Sequence, residues 1–75
     1  MPEAETLDTR GLKCPLPVLK LEKRLAGLGP GARLRVLATD PVARIDIPLY
    51  CRQGGHDCTL AASGAVLEFL VTKAG

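Results

Sequence analysis

The chain has 75 residues, 47% of them hydrophobic but only 3% aromatic, with no Trp, one Tyr and one Phe, and a formal net charge of +2. That length sets one domain, residues 1–75, burying about 60% or slightly more of its unfolded surface; the scarcity of aromatic rings excludes base-stacking platforms, so direct nucleic-acid binding is not expected, and no apolar run approaches the roughly 18 residues of a membrane span. Three cysteines, an odd number, behind an acidic Met-Pro-Glu-Ala-Glu start that does not read as a secretory signal, predict a cytoplasmic, reduced setting with thiols rather than disulfides.

Glu5–Asp8 is a short, weak strand candidate. From Pro15 to Leu28, Val18, Leu21, Leu25 and Leu28 recur at spacings of three, four and three, the stripe of an amphipathic helix. Gly27, Gly29, Pro30 and Gly31 end it. Arg33–Thr39 alternates, Leu34, Val36 and Ala38 against Arg33, Arg35 and Leu37, a strand with one buried side. Asp40-Pro41 reads as a helix start, Asp as N-cap and Pro at the first helical position. In that second helix Val42, Ile45 and Leu49 share a face expected to pack on the sheet. Pro48 cannot donate to the Arg44 carbonyl and its ring crowds that turn, so an interruption is expected near Asp46-Ile47-Pro48. Gly54-Gly55 closes the element. Asp57–Ala62 and Ala65–Lys73 are two strands of a hairpin about Ser63-Gly64, with Leu67, Phe69 and Val71 alternating with Glu68, Leu70 and Thr72. The order β-α-β-α-β-β predicts an α/β two-layer sandwich, two helices on one face of a four-stranded mixed sheet.

Chemistry concentrates at the start of the first helix, in Gly11-Leu12-Lys13-Cys14-Pro15-Leu16-Pro17. With Cys14 as N-cap, Pro15, Leu16 and Pro17 fill the first three helical positions, where both prolines give up N–H groups that have no helical partner anyway. Val18 N–H can return to the Cys14 carbonyl, which leaves Leu16 N–H as the main free donor, next to a sulfur at the positive end of the helix dipole. A thiolate is expected there, helped by Lys13 and Arg10. The alternative is a small, half-buried helix-start residue; the Pro-x-Pro setting and the cations favour the reactive role. Pro15 and Pro17 are then supports of the site. Leu16, Leu19, Lys20 and Lys23 lie opposite the apolar stripe, and Lys13, Leu16, Lys20 and Lys23 form a candidate partner-binding surface. From Arg10 to Arg35 seven basic residues (Arg10, Lys13, Lys20, Lys23, Arg24, Arg33, Arg35) stand against one acid, Glu22, which suits an acidic protein surface or a polyanion as well as an ordinary solvated face.

Cys51 and Cys58 read as small core residues and His56 as a turn residue after the helix. Cys51-x4-His56-x-Cys58 lacks paired-ligand spacing and a clear fourth ligand, so no metal is expected. Two further functions stay open from the residues alone: a non-catalytic module that contacts RNA or a regulatory protein through the basic face of the first helix, and thiol–disulfide exchange between Cys14 and Cys51 or Cys58, which lacks a Cys-x-x-Cys pair.

The stretch Leu7-Asp8-x-x-Gly11-Leu12-x-Cys14-Pro15-x-Pro17, with Asp40-Pro41, Asp46-Ile47-Pro48 and Gly55-His56, resembles the TusA, or SirA-like, family of small sulfur-carrier proteins from Leu7 to Lys73. The resemblance implies the same β-α-β-α-β-β sandwich, with sheet order 1-2-4-3, in which Glu68 could sit across from Arg33 or Arg35. It implies that Cys14 accepts a sulfane sulfur as a persulfide from a donor protein, such as a cysteine desulfurase or a rhodanese-like protein, and hands it to an acceptor protein. No metal or organic cofactor is implied.

Overall fold

Alternation along two central strands decides which side of the sheet is dry. Leu34, Val36 and Ala38 of β2 (Arg33–Ala38) and Leu67, Phe69 and Val71 of β4 (Leu67–Thr72) are all buried. The two strands pair antiparallel in a register that sets Leu34 opposite Val71, Val36 opposite Phe69 and Ala38 opposite Leu67, so the apolar side chains stack as cross-strand pairs. A computed structural model describes residues 5–74; Met1–Ala4, which carry most of the targeting argument above, lie outside the described residues. The remaining elements are β1 (Glu5–Thr9), α1 (Leu16–Ala26), α2 (Ala43–Gly54) and β3 (Asp57–Ala62).

The strands assemble in the order β1-β2-β4-β3, with β1 parallel to β2 and β4 antiparallel to both of its neighbours. The α/β sandwich and the 1-2-4-3 order expected above are therefore those of the protein. On the open side of the sheet Arg35 Nε meets Glu68 Oε2 at 3.0 Å. The hairpin turn is longer than expected, β4 starting at Leu67 rather than Ala65, and the pairing shifts register between Leu60 and Ala62, an extra residue absorbed on the edge strand.

Helix α1 buries Pro17, Leu21 and Leu25, with Val18 and Leu28 packed partly against the core, and exposes Leu16 and Leu19. Its stripe is the one read from spacing. Its start is not: the helix begins at Leu16, Pro15 stands at the N-cap position and Pro17 is inside the first turn. Leu16 N–H donates to the Lys13 carbonyl at 2.8 Å and the first helical return is Leu19 N–H to the Pro15 carbonyl at 3.1 Å. A tight turn over 13–16, in which the Cys14–Pro15 peptide is cis, has taken the donor that an N-capping Cys14 would have kept.

Helix α2 differs more. Its buried residues are Ala43, Ile47 and Cys51, whereas Val42, Ile45 and Leu49 are 44%, 68% and 46% exposed. At 100° per residue the packed face is rotated roughly half a turn from the one expected. The helix carries apolar residues on both sides; the face that reaches the sheet is the one with small Ala43 and Cys51, which let the backbone approach closely around Ile47. Nor does the interruption occur. Pro48 lies inside a continuous helix, and the turn loses only the one bond that its missing N–H would have made. The N-terminus is also later than Asp40: the Asp40 carboxylate accepts Val42 N–H at 3.1 Å and the helix proper starts at Ala43. Gly55, at φ 77°, closes it as His56 N–H reaches the Cys51 carbonyl and Gly55 N–H the Arg52 carbonyl, a Schellman ending that needs the left-handed conformation glycine adopts without cost.

Two substitutions separate the alternative helix phases. Ile47→Ala should destabilise the protein by about 2–5 kcal/mol in urea unfolding, as expected for a fully buried isoleucine, while Ile45→Ala should change stability by about 0.5 kcal/mol or less.

Candidate functional site

The parallel strands β1 and β2 end side by side, and the two loops that leave them face each other, the usual place for a site in a parallel sheet. Thr9, last in β1 and fully buried, donates its hydroxyl to the Leu37 carbonyl. The chain then turns at Gly11, whose φ of 83° favours glycine, and Gly11 N–H donates to Thr39 Oγ1 at 2.8 Å. Three residues on, Cys14 N–H donates to Asp40 Oδ2 at 2.6 Å. Thr39 and Asp40 of the loop after β2 thus hold the loop after β1 at two points. Between the two loops lies an open cleft of about 440 Å³ lined by Gly11, Leu12, Lys13, Thr39, Asp40 and Pro41.

Cys14 is exposed, whereas Cys51 is buried and Cys58 half-buried. Its thiol donates to Asp46 Oδ2 on α2, with Sγ and oxygen 2.7 Å apart. This bond reverses the electrostatics expected from the sequence. The hydrogen bond to Asp46 pushes the Cys14 thiol above its ordinary range, with desolvation and the charges of Asp46 and Asp40 adding in the same direction. The cations do not offset this. Arg10 is held by Asp8 through Nε and Nη2, each at 2.8 Å, and Lys13 acts on Asp40, whose carboxyl is lowered first by the N–H groups of Cys14 and Val42 and then by that lysine. The helix dipole adds little, because the Leu16 N–H nearest the sulfur is already spent on Lys13. The free protein therefore holds Cys14 as a thiol, not the thiolate expected from its position.

Asp46 is the residue in contact with the thiol that composition and spacing missed. It appeared only as part of Asp46-Ile47-Pro48, and its role is visible only once α2 has the phase that buries Ile47. Leu12 was missed too: it joins Leu16, Leu19, Lys20 and Lys23 in lining a shallow apolar groove of about 250 Å³ along α1, so three of the four predicted partner-binding residues come together there. The fourth, Lys13, lines the neighbouring cleft. Of the seven basic residues counted above, ion pairs among the described residues take Arg10, Arg24 and Arg35, leaving Lys13, Lys20 and Lys23 outside them. Pro15 and Pro17 bracket the start of the helix, but Pro17 is itself fully buried and packs as well as shapes.

The other two cysteines meet each other between α2 and β3. Cys51 is pushed up by its hydrogen bond to Cys58 and by burial, and Cys58 is pulled down by that same bond. His56 ends the helix, its Nδ1 accepting Ala74 N–H at 2.9 Å and its ring tilted against Tyr50 with centroids 5.9 Å apart. Among the described residues no group of three His, Cys, Asp or Glu is placed to hold a metal ion, and no helix is long and apolar enough to cross a membrane.

Residues 5–73 match the family model described as Sulfurtransferase TusA. The chain belongs to the TusA family. TusA-family relatives are close in sequence: a putative sulfur carrier protein of Neisseria meningitidis serogroup A is 55% identical over 53 residues, 71% of this chain and 72% of that one. The sulfur carrier protein TusA of Pseudomonas fluorescens is 51% identical over 51 residues, 68% of this chain and 61% of that one. The crystal structure of a SirA-like protein from Desulfitobacterium hafniense superposes with a TM-score of 0.81 at 26% identity, covering 93% of this chain and 97% of that one. The TusA match spans both loops, and with them Cys14, Asp40 and Asp46.

Replacing Asp46 by asparagine removes the negative charge that favours the thiol and leaves a neutral amide oxygen as a weaker acceptor. The Cys14 titration midpoint, followed by the ¹³Cβ shift of Cys14 against pH, should move down in Asp46→Asn relative to wild type; an unchanged or higher midpoint would contradict the electrostatics above.

Proposed function

We propose that this chain is a sulfur carrier: Cys14 accepts a sulfane sulfur as a persulfide from a donor protein and passes it to an acceptor protein. The observation that carries this reading is the exposed thiol of Cys14 at the meeting of the two loops, inside a chain that belongs to the TusA family along nearly its whole length. A carrier must both gain and lose its cargo, so its nucleophile has to be open to other proteins, and an open cleft on one side of the thiol-bearing loop and an apolar groove on the other support that requirement. The donor is a protein that presents sulfane sulfur, for example a cysteine desulfurase or a rhodanese-like protein. The setting of the exchange is the cytoplasm, and Cys14 carries the sulfur without a metal or organic cofactor.

Docking falls to α1. Leu12, Leu16 and Leu19 supply the apolar floor and Lys20 and Lys23 a positive rim, a combination that fits a partner with an apolar contact framed by acidic residues. Lys13 stands nearest the sulfur in the chain. Pro15 and Pro17 fix the direction in which the Cys14 segment leaves the helix, since each locks its own φ.

Intact-mass measurement after incubation with a sulfane-sulfur donor tests the carrier directly. Wild type should gain one sulfur atom, removable by reductant, and Cys14→Ser should gain none, while Cys51→Ser and Cys58→Ser load normally; a Cys14→Ser protein that still loads would refute the site. Salt-sensitive RNA binding that survives Cys14→Ser, with no sulfur loading by wild type, would instead select the non-catalytic module. For docking, Lys20→Glu combined with Lys23→Glu should slow protein-to-protein transfer about tenfold or more at low salt, through association, and leave loading from a small-molecule donor unchanged.

A further inference from the structure

Cys14 Sγ has one polar side-chain neighbour among the described residues, the carboxylate of Asp46 at 2.7 Å. Asp46 is half-buried on α2, an element that enters the site only through this contact. Asp40, the other carboxylate at hand, is occupied: Oδ2 takes Cys14 N–H and Oδ1 takes Val42 N–H, so it fixes the backbone and acts on the sulfur through its charge. The Asp46 carboxylate has no other hydrogen-bond partner among the described residues. A nucleophile and a base within hydrogen-bond reach are the arrangement that activates a weakly acidic attacking group.

We propose that Asp46 is a catalytic residue of sulfur loading, the base that takes the proton from Cys14 Sγ as that sulfur attacks the sulfane sulfur of the donor. The proposal rests on the carrier reading of Cys14. In the step, an electron pair on Cys14 Sγ forms a bond to the outer sulfur of the donor RS–SH and the donor S–S bond breaks, its electrons staying on the departing RS⁻. The Cys14 proton moves to Asp46 and from there to RS⁻, so that Cys14–SH and RS–SH become Cys14–S–SH and RSH. One sulfur atom changes hands, the summed oxidation state of the sulfurs is unchanged, and no oxidant or reductant is consumed. The need for a base follows from the surroundings. The charged groups about the thiol are Asp46 from α2, Asp40 from the loop after β2 and Lys13 from the thiol's own loop, with Arg10 bound to Asp8 and Lys20 acting on Asp8 from α1. The two carboxylates outweigh the cations, and the thiolate that would otherwise react is scarce. A carboxylate already on the thiol proton removes the need for that thiolate to form beforehand.

The pH dependence of loading separates this role from a merely structural one. Loading from glutathione persulfide is timed by quenched intact-mass measurement between roughly pH 6 and 8, below the ordinary thiol range, for wild type, Asp46→Asn and Asp46→Glu. The donor's own ionisation is common to all three and cancels in ratios. With the base removed, the Asp46→Asn protein is left with only the thiolate route, so the ratio of wild-type to Asp46→Asn rates should rise about tenfold for each pH unit of acidification, because the thiolate fraction falls tenfold per unit. Asp46→Glu should keep the wild-type profile, and added formate should restore part of the rate to Asp46→Asn. A ratio independent of pH, with no rescue by formate, overturns the proposal and leaves the carrier intact. Wild type alone supplies a second arm if Asp46→Asn does not fold: transfer of the proton in the rate-limiting step slows loading in D₂O, and loading that is equally fast or faster in D₂O overturns the proposal. Failure of wild type to load any sulfur, matching Cys14→Ser, removes the carrier reading and this proposal together.

Discussion

The thiol of Cys14 and the carboxylate of Asp46 stand 32 positions apart in sequence and 2.7 Å apart in space, and the contact requires one phase of α2. For Asp46 to reach the sulfur, the helix must turn Ile47 to the sheet with Ala43 and Cys51 above and below it. The same rotation carries Val42, Ile45 and Leu49 outward. Each of the three, between 44% and 68% exposed, forfeits only part of the stabilisation that full burial would give. The phase adopted buries Ala43, Ile47 and Cys51 in their place. Their exposure is consistent with a surface that serves something beyond the stability of the chain.

Two loops with no regular structure hold the nucleophile, and neither would be rigid by itself. Rigidity comes from cross-bracing: Gly11 N–H to Thr39 Oγ1, Cys14 N–H to Asp40 Oδ2, Cys14 Sγ to Asp46, and below them the buried Thr9 hydroxyl on the Leu37 carbonyl. Each bond joins the β1 side of the site to the β2–α2 side. The parallel pairing of β1 with β2 is what brings the loops together, so the sheet order positions the thiol as directly as any local turn does. Substitutions at Thr39 or Asp40 are thereby expected to act on Cys14 without touching its sulfur.

Much of this was legible in the sequence where one pattern had no rival. The alternation of β2 and β4 and the three-four spacing of α1 each offered a single apolar face, and those faces are buried. In α2 both faces carry apolar residues; the sequence reading took the shared face of Val42, Ile45 and Leu49, whereas the packed face has the small Ala43 and Cys51 beside Ile47. Small residues can face the sheet because they allow a close approach of the helix, which the pattern of larger apolar residues does not reveal. Cys14 stood out through its Pro-x-Pro setting, but its chemistry did not: reasoning along the chain assigned Leu16 N–H to the sulfur, while in three dimensions the Lys13 carbonyl takes that donor. Asp46 was out of reach altogether, because its meaning depends on a helix phase that the local sequence left undetermined.

If Cys14 is the carrier proposed above, loading changes its contact with Asp46. A persulfide has no proton on its inner sulfur, so once Cys14 Sγ is bonded to the outer sulfur it can no longer donate to Asp46. The carboxylate then faces two electron-rich sulfurs, and a persulfide anion is repelled by it and by Asp40 together. On that reading the favourable course is for the outer sulfur to point away from both acids. On the same reading the empty thiol rests on α2 through Asp46, and a charged cargo would be repelled from it. A donor finds a proton already held by an acceptor, and the next protein finds sulfur presented at the surface. The same two carboxylates that make Cys14 a poor free nucleophile make its persulfide a good one to give away.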